Sequence, residues 1–456
     1  MNFEVSFPTQ WDIQPFETLF AEPTRNGLTR PKRVRGNGIK MVNMGEIFAF
    51  DRIFNQEMDR VPVTDKEYDK SILKEGDLLF ARQSLTLKGA GKCSIVMTDE
   101  EMTFESHLIR ARLQREKADP LFYYYFFKSK IGKELISSIV EQVAAAGIRS
   151  SDLVKLKVPV PSVLEQREIS KILSSIDDKI ELNYAINKNL EEIAQALFKR
   201  WFVDFEFPNE NGEPYKSSGG EFEESELGLI PKGWRIQKIN DIAEVKGGKR
   251  IPKSHELITI KTDHPYIRIA DITNGRISLG NLMYLSEETY NHISRYVINN
   301  DDVYISIVGT IGIVGVINRL LNNANLTENM AKITIINTKI INKFYLYLYL
   351  DSNQGKHHIS SRTVGSTQPK LALTRIRDIP LIIPDENLMK SFTETVNCIY
   401  NEYEENEIEN IRLEELRNSL LPKLMSGEIR VPIEREYVQT ADLPMAAESK
   451  EQYSST

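Results

Sequence analysis

The stretch "LEEIAQALFKRWF" beginning at Leu190 returns as "LEELRNSLLPKLM" at Leu413, with the same Leu-Glu-Glu-aliphatic opening and the same Leu seven residues on. Other phrases recur at nearly the same displacement, that from Leu190 to Leu413. "PTQWDIQ" from Pro8 answers "PKGWRIQ" from Pro231, placing Trp11 opposite Trp234. "VNMGEI" from Val42 answers "IRIADI" from Ile267, "GDLLFAR" from Gly76 answers "DDVYISI" from Asp301, and "FYYYFF" from Phe122 answers "FYLYLY" from Phe344. Pro161 answers Pro384. Collinear echoes at one offset make a duplicated unit, and a duplication decides architecture before any single element does.

Within each repeat the chain changes character about two thirds of the way along. Short apolar runs such as "VNMGEIFAF", "DLLFAR" and "CSIVM" alternate with Gly and Asp turn signals, and "DPLFYYYFFKSKIGKELISSIVEQ" reads as helical. The glycine-interrupted run Val303 to Ile317 is too short for a membrane helix and reads as buried strands joined by a Gly turn. The expected class is therefore α+β. Each globular part closes on a proline-flanked strand, "LVKLKVPVPS" in the first repeat, after which Ser162 and Glu165 form a capping box for a helix.

Beyond that cap, Ile169, Leu173, Ile176, Ile180, Asn183, Asn187, Leu190, Ala194, Leu197 and Trp201 recur in steps of four and three. This is a heptad seam on a helix of about 55 Å at about 1.5 Å per residue, longer than one small domain can cover. The second repeat supplies a partner after Pro384, with Gly427 as its stop. In the first helix the apolar interface residues are expected to be Ile176, Ile180, Leu190, Ile193, Leu197 and Trp201. In the second they are Leu413, Leu416 and Leu420. An antiparallel pair is expected, because it relates the repeats by a pseudo-two-fold axis and keeps their globular parts apart. Asn183 and Asn187 either set the register from within the seam or face solvent on a slightly overwound helix. The expected layout is a first globular domain over 1–160, a central helix over 161–207, a second globular domain over 208–384, a C-terminal helix over 385–430 and a disordered Glu- and Ser-rich tail over 431–456.

Two similar domains on a rigid spacer suit a long ligand of approximate two-fold symmetry, and duplex DNA is the natural one. The net charge of −7 is unfavourable for phosphate contacts only if it is spread evenly, and it is not. Acids gather in "EFEESE" and "NEYEENEIEN", while "RNGLTRPKRVRGNGIK" holds Arg25, Arg30, Lys32, Arg33, Arg35 and Lys40 with no acid. "VKGGKRIPK" places Lys249, Arg250 and Lys253 at the corresponding point of the second repeat. Two glycine-containing turns add Arg82, Lys88 and Lys92 in the first repeat and Thr310 in the second, where backbone amides would be able to approach a phosphate. Arg149, Lys356, Arg362, Gln368 and Lys370 precede the closing strands and belong to the same candidate surface.

Catalytic signatures do not emerge. "GAGKCS" is no P-loop, since Thr86 stands where the first glycine belongs and Cys93 replaces the Ser or Thr. HExxH, GxSxG and an NPPY-like aminomethyltransferase motif are missing. His357 and His358 lack further ligands at metal spacing, and Cys93 and Cys398 form no CxxC, so neither a metal nor a disulfide is expected. The N-terminal "MNFEVSFPTQWD" does not resemble a secretory signal, so a cytoplasmic location is expected.

The phrases "LGLIPKGWRIQKINDIA", "GTIG", "GSTQPKLALTRIRDIPLIIP", "LEQREISKILSSIDDKIELN" and "LRNSLLPKLMSGEIRV" resemble those of the DNA specificity subunits of type I restriction-modification systems. The resemblance runs from Pro8 to Val431; the first globular domain departs most, with "SLTLKGAGKCS" and "AAAGIRSSDL" in place of GTIG-like and GSTQ-like text. It implies two target recognition domains, each reading one half of a split DNA site, and a non-catalytic chain that binds no cofactor itself. It further implies two methyltransferase subunits docked on the helices and motor-nuclease subunits joining for cleavage, with S-adenosylmethionine, ATP and Mg on those partners. The residues alone also admit a stand-alone bipartite DNA-binding protein such as a repressor, or a coiled-coil scaffold for protein partners. The target bases and their spacing are not legible, since base readout depends on loop geometry.

Overall fold

A computed structural model describes residues 7–142, 146–273, 275–365 and 369–432. It divides into two compact units, one formed by the described residues up to Asp177 together with those from Glu415, the other by Asp178–Glu414. These units do not follow linear domain boundaries, because each unit takes up a stretch of both long helices. No helix among the described residues is long and apolar enough to cross a membrane.

In the first unit, strand Asp12–Pro15 pairs antiparallel with Lys157–Val160, so the start and end of the globular part are fastened to each other. A five-stranded sheet follows the spatial order Phe20–Asn26, Leu108–Leu113, Leu78–Ala81, Cys93–Val96, Arg52–Ile53. Its apolar face packs on the aromatic helix Pro120–Lys128, whose Phe122 to Phe127 are all buried. Such wide burial explains why that helix shows no polar face. The helical run expected after Asp119 is broken at Ser129, which leaves helical geometry and accepts from the Gly132 amide to cap a second helix, Lys130–Ser138. Gly132 is required there, since a Cβ would lie 2.1 Å from the Phe126 carbonyl oxygen.

The second unit repeats this plan. Arg235–Lys238 pairs with Pro380–Ile383, and the register Arg235↔Ile383 is that of Asp12↔Val160 displaced by one repeat. Its main sheet runs Ala243–Gly247, Met330–Ile335, Asp302–Ser306, Val314–Val316, the order of the first four strands above. The strands Asp302–Ser306 and Val314–Val316 are joined through Gly309 and Gly312, both at positive φ. The aromatic helix is Lys343–Asp351, and Ser352 with Gly355 makes the break that Ser129 makes with Gly132. An aspartate buried at the same point in each repeat, Asp77 and Asp302, accepts from the amides of Lys74 and Asn299 and ties down the turn before its strand.

The long helices span Val163–Phe198 and Glu386–Ser426. Ser162 caps the first through the Glu165 amide, and Asp385, at the equivalent point of the second repeat, caps the second through the Leu388 amide. The first continues into a π-turn, Lys199–Val203, a local widening that periodicity does not announce. Gly427, at φ 75°, ends the second helix beside Pro8 and Trp11, where a Cβ would clash. The heptad residues Ile169, Leu173, Ile176, Ile180, Asn183, Asn187 and Ala194 are buried, and Leu190, Leu197, Trp201, Leu413 and Leu420 are partly so. Ile193 and Leu416 are not in the seam: they are 54% and 48% exposed. Each lies one position off the buried stripe, beside Ala194 and beside the half-buried Arg417, so apolar character next to the seam does not by itself place a side chain in it.

Asn183 and Asn187 do not face solvent. Within the second unit the Asn183 amide donates to the Asn410 side-chain oxygen at 2.8 Å, and the Asn406 amide donates to that of Asn187 at 2.9 Å. Asn187 also donates to the Tyr403 carbonyl, and Asn410 to that of Ile180. These pairings make the helices run in opposite directions there. Asn406, Asn410 and Tyr403 are the second-repeat equivalents of Asn183, Asn187 and Ile180, so each bond is the reciprocal of another, as in an isologous contact. Replacing Asn410 with Ala removes one of the two acceptors of the buried Asn183 amide, which keeps Glu409, and should lower stability by about 1–3 kcal/mol, with Asn187→Ala costing a similar amount. Urea denaturation checks this; the pair Asn183→Leu with Asn410→Leu should recover most of the loss.

Candidate nucleic-acid interface

In both repeats a basic loop leaves the sheet at the same backbone position. After strand Phe20–Asn26, the Leu28 amide donates to the Phe104 carbonyl at 2.7 Å; after Ala243–Gly247, the Lys249 amide donates to that of Leu326 at 2.8 Å. The preceding glycines permit this approach. A Cβ on Gly27 would sit 2.0 Å from the Phe104 oxygen, and one on Gly248 2.2 Å from the Thr327 oxygen.

The first loop is built by its own charges. Arg30 pairs with Glu67 at 2.7 Å and donates to the Pro62 carbonyl, while Arg35 pairs with Asp59 at 2.7 Å and returns to the Arg30 carbonyl. The Arg30 hydrogen bond, aided by the Thr64 amide and hydroxyl, draws the Glu67 carboxyl down to about 2. Lys32 and Arg33 sit on the 3-10 turn Lys32–Val34 between those anchors and are exposed, as is Arg25 on the strand before. Lys40 is turned inward, toward Asn55 and the Gln56 carbonyl. In the second loop Lys249, Arg250 and Lys253 are exposed, with Lys249 over the Tyr296 ring at 5.6 Å and Arg250 paired with Glu328.

A second loop pair is also common to both repeats. The Ile148 amide donates to the Arg82 carbonyl, and the Leu371 amide to that of Ile307. Arg82 and Arg149 are thereby neighbours in the first repeat, both exposed, with Arg149 paired to Glu141 at 2.5 Å. Lys92 lies farther along, paired to Asp51 at 3.3 Å. Burial would raise the Asp51 pKa, but Lys128 and Lys92 outweigh it and hold it below the ordinary value. In the second repeat Lys370 bridges to Val308 and Val364, which sets it beside the turn holding the exposed Thr310. Arg362 is turned toward His358 and the Asp378 carbonyl, and Lys356 pairs with Asp351 at 2.9 Å. Gln368 lies outside the described residues, as does the side chain of Lys88. Within these glycine turns the amides of Gly89, Gly91 and Gly312 donate to the carbonyls of Thr86, Ala81 and Ser306.

Sequence reasoning missed the residues that hold the second domain to its helices. Arg276 lies 4.3 Å from the Tyr403 ring centroid and 5.4 Å from those of Tyr347 and Tyr400, and it pairs with Glu191. Glu191 also accepts from the Tyr347 hydroxyl at 2.7 Å. Enclosure alone would lower the Arg276 pKa, but Tyr347 and Glu191 reverse this and hold it well above its ordinary value. The only signal in the sequence was the spacing of Tyr400 and Tyr403 on one helix face near a glutamate of the repeated phrase.

A family model described as type I restriction modification DNA specificity domain matches residues 38–192 and again 231–413. The chain belongs to this family. Its two matches coincide with the two repeats, and its relatives are specificity subunits, so the chain is a recognition subunit and not itself an enzyme. A type I restriction enzyme specificity subunit of Methanocaldococcus jannaschii is 23% identical, with 93% of this chain and 94% of that one covered. One of Haemophilus influenzae is 25% identical, with 86% and 94% covered. In fold, the chain is similar to a crystallised type I restriction-modification S subunit from M. genitalium, with a TM-score of 0.57 at 16% identity over 93% of this chain and 98% of that one.

Removing the Arg276 charge tests the clamp. Arg276→Met leaves the enclosed Glu191 without its counter-charge and should destabilise the second unit on the order of 2 kcal/mol, discounted for partial solvent access. Adding Glu191→Gln should recover part of the loss, read by urea denaturation of both variants.

Proposed function

We propose that each repeat of this specificity subunit reads one half of a split site on duplex DNA. The observation that carries this reading is the recurrence, in both repeats, of one basic loop and one glycine-containing loop pair on equivalent backbone positions, with Lys32 and Arg33 in the first and Lys249 and Lys253 in the second exposed. Phosphate contacts by such side chains supply affinity, while the neighbouring loops supply base readout. The paired helices act as an antiparallel coiled-coil spacer, and the reciprocal asparagine bonds support a pseudo-two-fold relation between the repeats. Replacing Lys32 and Arg33 with Ala should weaken binding to all duplexes and flatten the dependence of log K on log salt by up to about two units. Fluorescence anisotropy over a salt series reads this, and an unchanged slope removes these residues from the interface.

The helices also carry the partners in this reading. Ile193 and Leu416 are exposed apolar residues at equivalent points of the two repeats, so a duplicated docking patch would receive two copies of one methyltransferase subunit, with motor-nuclease subunits joining for restriction. S-adenosylmethionine, ATP and Mg then belong to those partners. Ile193→Glu with Leu416→Glu should leave the chain folded and abolish co-purification of the methyltransferase subunits. Retention of both subunits on size-exclusion chromatography would reject the patch.

A further inference from the structure

Three of the chain's six histidines gather around one seven-residue helix of the second repeat, Glu287–Ile293. His264 stacks on Tyr290 and bonds Glu287. The other two, His255 and His292, meet Glu288: one ligand-type atom from each of His255, Glu288 and His292 lies within 4.8 Å of the others. Glu288 and His292 are four apart on the helix and therefore share a face. The His255 side chain is only 13% exposed, and the Ser254 hydroxyl lies 3.1 Å from its Nδ1, leaving Nε2 directed at the Glu288 carboxylate 3.6 Å away. Holding one ring nitrogen to fix the aim of the other is what orients histidine ligands.

We propose that His255, Glu288 and His292 bind a borderline divalent transition metal of the zinc class, which fastens the basic loop to this helix. Two imidazoles and one carboxylate suit such an ion, with water free to complete its shell. Ligand atoms each about 2.0–2.2 Å from one ion need to draw closer together than they now stand. The arrangement allows it, because His255 is anchored while Glu288 and His292 are exposed and free to turn. The loop has reason to need a staple. It carries Lys249, Arg250 and Lys253 immediately before His255, and the small apolar cluster beneath it has Tyr266, Leu285 and Ile293 as its buried members, with Ile251, Leu257 and Tyr290 packed around them. The matching helix of the first repeat, Asp65–Ser71, reads DKEYDKS and has no histidine. Metal would thus act on the second repeat alone; its bearing on DNA rests on the reading given above, whereas metal binding itself does not.

The test uses the full-length chain, stripped with chelator and titrated with cobalt(II), read by its ligand-field absorption, then displaced with zinc chloride in calorimetry. One ion per chain is expected, with Kd tighter than about 10 μM. His255→Ala, His292→Ala and Glu288→Gln should each weaken binding at least about tenfold. His264→Ala and the pair His357→Ala with His358→Ala should leave it unchanged. Amide hydrogen exchange over 249–257 should slow when zinc is added to the unaltered chain and not to His255→Ala, circular dichroism confirming that both are folded. Absence of stoichiometric binding, binding that survives His255→Ala with His292→Ala, or exchange unaffected by zinc would each overturn the proposal.

Discussion

The buried asparagines between the long helices are the constraint on which the rest of the chain depends. Helices of 36 and 41 residues with largely apolar seams have many registers of similar hydrophobic energy, since sliding by a heptad trades one aliphatic contact for another. Asn183, Asn187, Asn406 and Asn410 remove that freedom. Each side-chain amide finds its partner only when Asn183 meets Asn410 and Asn187 meets Asn406, and any slip leaves polar groups buried and unpaired. These contacts also fix direction, because the earlier asparagine of one helix meets the later one of the other.

On that frame, each globular part is closed by the pairing of its first and last strands, so loops built between them are held by a sheet whose ends cannot drift apart. Charge is used inside the loops as well as on their surface. Arg30 and Arg35 shape the first basic loop through Glu67 and Asp59, and this frees the tip residues Lys32 and Arg33 to face outward. The same chemical type therefore serves two ends, and only the acids within reach decide which arginine serves which.

The two repeats differ in residue type at equivalent places, although the first also buries an arginine, Arg52, at the position of Arg276. The Arg276 cage ties a strand of the globular part to both long helices, and the histidine cluster lies where the first repeat has lysines and aspartates. The repeats share the fold and differ in loops and in contacts to the helices, where substitutions leave the sheet undisturbed.

By itself the sequence determined the duplication, the heptad seam, the caps at Ser162 and Gly427 and the position of both basic loops. All of these are periodic or local signals, carried by spacing and by turn chemistry. Three-dimensional packing decided the rest. Ile193 and Leu416 are as apolar as their seam neighbours and fall outside because a helix turns about 100° per residue, so one position decides burial. Whether Asn183 sat in the seam depended on a partner 227 residues away. The amides of Gly91 and Gly312 were already engaged by strands across the turn, and Arg276 met Glu191 and three tyrosines contributed by distant segments. Such partners are chosen by tertiary proximity, which no local pattern of residues encodes.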